Sequence, residues 1–136
     1  MDFNWENFLK VAESIKQKSF FIEENLEEAF IRTAIGRAYY ASFKKAALYL
    51  EYLAKDLSEE NRKEYSHEYV IKSFKSKGVW QKKPEFVKIS DNLSDLKRLR
   101  KASDYDANYH GNEITTLHAS KAIKLSKQII DEINKL

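Results

Sequence analysis

Two stretches of the chain combine residue types that can do chemistry together. In LSDLKRLRKASDYDANYH, residues 93–110, Arg100, Asp104 and Tyr105 form the pattern R-x3-D-Y, and the four-residue offset sets Arg100 and Asp104 on one face of a helix. Arg ahead of Asp is the weaker order for such a pair, so the carboxylate is expected to find another partner. Arg37, in the segment RTAIGRAYYASFKKAALYL that spans residues 32–50, is the candidate, because a buried guanidinium favours a planar, bidentate carboxylate. The same segment places Tyr39 and Tyr40 beside small residues, and each buried tyrosine hydroxyl needs a partner. The three histidines, His67, His110 and His118, lack the i,i+4 spacing of a metal site, so no metal is expected. With no Cys there are no thiolate zinc sites, iron–sulfur clusters, disulfides or thiol nucleophiles, and no cofactor is expected.

Charge is unevenly spread. Lys72 to Lys101 holds ten Lys or Arg against Glu85, Asp91 and Asp95, while the whole chain carries only +3. Such asymmetry marks either a face that meets phosphates or a solvated face of lysines.

The elements that must position these residues are helical. Three Gly and one Pro in 136 residues are too few for a hairpin-rich β fold. Apolar residues recur every three or four positions, which predicts helices near 3–18, 25–55, 66–76, 84–103 and 114–135, with no strands. Asn25 with Glu28, and Ser66, are the expected caps of the second and third helices. Gly78 should stop the third, and Pro84 should open the fourth. The second helix carries apolar groups on more than one face and is expected to be central. Gly36 within it costs about 1 kcal/mol relative to Ala, so a tight helix crossing is expected there. The chain reads as one domain over residues 1–136. No apolar run is long enough for a membrane span, and the N-terminus lacks a basic-then-apolar leader pattern, so a soluble, cytoplasmic protein is expected, with no membrane partner.

A Trp-bearing N-terminal helix, then R-x-A-I-x-R-A-Y-Y-A-S-F, then His-Glu-x-Val-I-x-x-F at His67 to Phe74, and L-x-x-L-R-x-x-x-D-Y-D at Leu96 to Asp106 together resemble the HEPN domain superfamily. More narrowly the chain resembles the small single-domain prokaryotic HEPN proteins with R-A-Y-Y and R-x3-D-Y, over nearly its whole length. The resemblance implies an all-α, up-and-down bundle of about five helices, assembled as a homodimer. It also implies a toxin–antitoxin or antiviral defence setting, RNA as the substrate or ligand, and a minimal nucleotidyltransferase as partner protein. Many members are metal-independent endoribonucleases whose signature is R-x4-6-H. Here nine residues separate Arg100 from His110, whereas four separate Arg62 from His67, between helices.

Two functions follow as expectations. For RNA cleavage, Arg100 would steady the scissile phosphate, His110 or His67 would transfer protons, and Asp104 or Tyr105 would orient them. The alternative is a non-catalytic dimer that binds a nucleotide, RNA or protein. In it Lys82, Lys83, Lys97, Arg98 and Lys101 would contact phosphates and Trp80 would stack on a base.

Overall fold

The computed structural model describes residues 3–18, 24–53 and 66–136, and of residues 24 and 25 the backbone alone. Among these residues the chain forms five helices: α1 (Asn7–Lys18), α2 (Glu24–Leu53), α3 (His67–Trp80), α4 (Pro84–Tyr105) and α5 (Thr116–Asn134). A small antiparallel hairpin, β1 (Asn108–Tyr109) and β2 (Asn112–Glu113), joins α4 to α5. The fold is therefore the expected all-α bundle. No helix among the described residues is long and apolar enough to cross a membrane.

α2 is central because its apolar residues cover more than one face. Ile31, Ile35, Tyr39, Phe43 and Leu50 are buried, and Ala34, Ala38, Ala41 and Ala46 between them leave room for neighbours to approach. All four other helices pack on it or on each other through one contiguous core. Buried serines tie the layers: Ser126 of α5 donates to the Ala38 carbonyl of α2 at 2.6 Å, and Ser90 of α4 donates to the Ile71 carbonyl of α3 at 2.9 Å. Each hydroxyl thus leaves water only for another acceptor.

The helix ends follow local chemistry. Ser66 caps α3 by accepting the Tyr69 N–H at 3.1 Å, and Pro84 opens α4. Thr115 and His118 form a reciprocal capping box at the start of α5. α1 begins at Asn7 rather than near residue 3, because the Asn4 side chain accepts the Glu6 N–H at 3.0 Å and holds a turn there. Asn25 lies inside α2 instead of capping it, and Glu28 bonds Arg32. The expected end of α2 at residues 54–55 and the polar break at 56–63, Arg62 included, lie outside the described residues.

Three local expectations are overturned. The segment 104–112 is not only a turn, since His110 and Gly111, with φ of 51° and 77°, form the two-residue loop of the β1–β2 hairpin. Gly78 does not end α3. It lies inside the helix where α4 comes closest: a Cβ at this position would meet Val87 Cγ2 at 2.6 Å, Val87 N at 2.8 Å and the Lys83 carbonyl at 3.0 Å. Gly36, expected at a tight crossing, has nothing within 4 Å of the same point.

The two glycines should therefore respond oppositely to alanine. Gly78→Ala is expected to destabilise by about 1–3 kcal/mol through overpacking against backbone, and Gly36→Ala to stabilise by about 0.5–1 kcal/mol through helix propensity. Chemical denaturation reads both. A Gly78→Ala protein as stable as its parent would contradict the close α3–α4 approach.

Candidate functional site

The site is built where the N-terminus of α3 meets the middle of α2 and the end of α4. Because Ser66 caps α3, His67 becomes the first helical residue and its ring is laid against α2. The imidazole stacks on Phe43 at 4.2 Å between ring centres and lies 5.4 Å from the Tyr39 ring and 6.2 Å from that of Tyr40. The Tyr39 hydroxyl and His67 Nδ1 form a hydrogen bond.

Arg100 approaches from α4. Its side chain is only 14% exposed, and its guanidinium lies 5.6 Å from the Tyr39 ring and 5.5 Å from that of Tyr40, within cation–π range. Nη2 donates to the Tyr40 hydroxyl at 2.9 Å. Nε stands 3.2 Å from Asp104 Oδ2, an ionic contact in which the Nε–H itself has no hydrogen-bond partner among the described residues. Aromatic faces, one hydroxyl and one carboxylate hold the fork, while no described residue accepts a hydrogen bond from Nη1.

The electrostatics follow from this packing. Burial pushes the Tyr39 hydroxyl well above its ordinary range, partly offset by Arg100, so Tyr39 keeps its proton. Burial also lowers the His67 pKa, and the positive charges of Arg100, Lys97 and Lys44 lower it further, so the imidazole is neutral at pH 7. Desolvation pulls Arg100 down, but its hydrogen bond to Tyr40 and the nearby Asp104 raise it more, and it stays charged. Tyr39 is fully buried, and His67 Nδ1 is the one acceptor its hydroxyl meets among the described residues. The O–H therefore donates to Nδ1, and the neutral ring carries its hydrogen on Nε2. The result is a cluster of donors: the Arg100 fork, the His67 Nε2–H and the Tyr40 O–H, whose oxygen already accepts from Arg100. Such a set suits an anion with several acceptor oxygens. Among the described residues no three His, Asp or Glu side chains come together as a metal site would need.

The residues singled out from the sequence divide. Arg100 and Asp104 meet, but Arg37 and Asp104 do not pair. The Arg37 guanidinium instead lies 5.2 Å from the centre of the Phe8 ring and 5.9 Å from that of Tyr40, and it is not fully buried. Tyr105 is 76% exposed at the end of α4. His110 is not brought to Arg100. It sits in the hairpin loop against Tyr109, beside a groove shared with His118 and Lys121. His67 occupies the place that His110 was expected to fill. Lys97, Arg98 and Lys101 line a groove between α3 and α4, although Arg98 is tied to Asp95 at 3.2 Å. Lys82 is exposed in the α3–α4 turn, Lys83 Nζ lies 5.4 Å from the Phe86 ring, and Trp80 is exposed.

Arg32 carries the inward contacts expected of Arg37. Its Nη1 donates to the carbonyls of Ala102, Ser103 and Asp106, at 3.2, 2.9 and 2.6 Å, and its Nη2 to that of Ala107 at 2.8 Å, while Glu28 holds the other edge. Ser103 lies in the last turn of α4, whose carbonyls lack helical donors, Ala102 shares its carbonyl with the Asp106 N–H, and Asp106 and Ala107 follow the helix. Arg32 thereby fixes the chain that carries Asp104. The fold and site define a helical bundle with a cationic, aromatic-walled cluster of hydrogen-bond donors. Neither the family models, nor the curated proteins, nor the solved structures compared with this chain include a match to it.

The two α2 arginines should separate on mutation. Arg32→Met is expected to cost about 2 kcal/mol, since it removes one charged donor that four carbonyls share. Arg37→Met should cost no more than about 1 kcal/mol, the scale of a partly exposed cation–π contact. Equal losses in denaturant melts would contradict this division of roles.

Proposed function

We propose that this chain is a HEPN-like bundle that binds RNA through its phosphates and does not cleave it. The Tyr39–His67 hydrogen bond carries the reading. Cleavage by a 2′-hydroxyl needs a base to take that proton and an acid to protonate the departing 5′-oxygen. His67, with Nδ1 occupied by Tyr39 and its hydrogen on Nε2, has no free lone pair with which to act as the base. As an acid, the neutral ring would have to take the Tyr39 proton in exchange, leaving a buried tyrosinate that desolvation opposes. What remains is hydrogen-bond donation. Arg100 supplies charge and a planar fork to a phosphate, His67 Nε2–H and the Tyr40 hydroxyl supply directed donors, and Asp104 keeps the fork oriented.

The R-A-Y-Y and R-x3-D-Y motifs support this reading from a second side, because their conspicuous residues, Tyr39, Tyr40, Arg100 and Asp104, are the ones that build the cluster. The homodimer, the toxin–antitoxin or defence setting and the nucleotidyltransferase partner rest on the HEPN resemblance alone.

Binding and cleavage separate in one experiment, in which the purified protein meets end-labelled RNA in the presence of EDTA. The expected result is retarded but intact RNA, with affinity weakened about tenfold in Arg100→Lys, which keeps the charge and loses the fork. Melting curves of each variant exclude unfolding as the cause. Appearance of 2′,3′-cyclic phosphate ends with the parent protein but not with His67→Gln would overturn the reading in favour of a ribonuclease.

A further inference from the structure

The basic, aromatic surface along α3 lies outside the Arg100 cluster. α3 and α4 run antiparallel: Gly78 sits against Val87 near the connecting turn, and Ser90 bonds the Ile71 carbonyl further along. The His67 end of α3 therefore lies beside the Lys97–Lys101 end of α4, and Trp80 lies at the far end by the turn. Two shallow grooves meet at Lys72, one between α3 and α4 and one on the outer face of α3. The first is bordered by Lys72 on α3 and by Lys97, Arg98 and Lys101 on α4, and the second by Lys72, Lys75 and Trp80. Lys72 borders both, so the grooves adjoin. Their charged borders comprise five cations and a single acid, Glu68.

Trp80 is the unusual element. Its side chain is 85% exposed and the neighbouring Val79 is 62% exposed, both on a helix face otherwise carrying lysines. A large indole left in water among positive charges is the arrangement of a stacking platform beside a phosphate track. The helix from His67 to Trp80 covers about 20 Å, long enough for a short run of nucleotides, and a base that stacks on the Trp80 indole must be unpaired.

We infer that a single strand of RNA runs from the α3–α4 groove onto the outer face of α3, its phosphates following Lys97, Lys101, Lys72 and Lys75, with a base stacked on Trp80 at the end away from Arg100. This rests on the RNA-binding reading and adds the strandedness and direction of the bound chain. Lys82 and Lys83 are not part of this track. Lys72 and Lys75 take their place because they border the same groove as Trp80.

The test uses the full chain, a labelled oligouridylate of about ten nucleotides, and a duplex of equal length, followed by fluorescence anisotropy. The single strand should bind in preference, and Trp80→Leu should weaken it about tenfold without moving the melting temperature, while Trp80→Phe, which keeps an aromatic face, should retain most of the affinity. Lys72→Ser with Lys75→Ser should flatten the dependence of binding on salt, as fewer counterions are released. Unchanged affinity in Trp80→Leu together with a loss in Arg100→Lys would overturn the track and leave the RNA-binding reading standing. Failure of the parent protein to bind RNA at low salt would overturn both. Preference for the duplex would overturn the track, as would a Trp80→Leu protein that loses self-association in sedimentation but not RNA affinity, which would assign the indole to a second copy of the chain.

Discussion

The buried hydroxyl of Tyr39 is the constraint on which the site depends. A phenol in the middle of α2, out of reach of water, must donate its proton somewhere, and the acceptor it meets among the described residues is His67 on another helix. That one bond fixes the rotation of the imidazole and its tautomer, while the Ser66 cap sets its place at the start of α3. It also sets the character of the site, because a ring held through Nδ1 presents a donor. Arg100 then completes the cluster by packing across both Tyr39 and Tyr40, where its charge further disfavours protonation of the ring.

The rest of the bundle keeps those three helices in register. The close approach at Gly78 sets the spacing of α3 and α4 at one end, and Ser90 binds α4 to the α3 backbone in between. Arg32 holds the last carbonyls of α4 and the chain beyond, so the turn of helix bearing Arg100 and Asp104 cannot fray without breaking several charge-assisted bonds. α5 adds no residue to the cluster. It supports the cluster from behind, through the Ser126 bond to the α2 backbone.

Much of this frame is legible in the sequence, and the failures have physical causes. The stripes of α4 and α5 are read directly from spacing, since Phe86, Ile89, Leu93, Leu96 and Leu99 are all buried, as are Ala119, Ala122 and Ile123. The Arg37–Asp104 pairing failed because a preference measured in isolated helices was applied to Arg100, whose guanidinium is here pinned by Tyr40 and brought to Asp104 regardless of order. Arg32, which like Arg37 needs partners if it faces inward, finds them in carbonyls, which carry no sequence signal. Glycine type alone does not distinguish a crossing from an open face, so the close approach expected at Gly36 is found at Gly78. His67 was visible only as one of two candidate histidines, and the choice between them needed the tertiary contact with Tyr39.

The most direct measurement is a pH titration of the protein labelled with nitrogen-15 at histidine, followed by NMR. The account predicts that His67 is neutral with its hydrogen on Nε2 at pH 7, that its pKa lies below the ordinary imidazole value, and that Tyr39→Phe abolishes the tautomer preference. A His67 carrying its hydrogen on Nδ1, or titrating at or above the ordinary value, would contradict the donor role on which the proposed function rests.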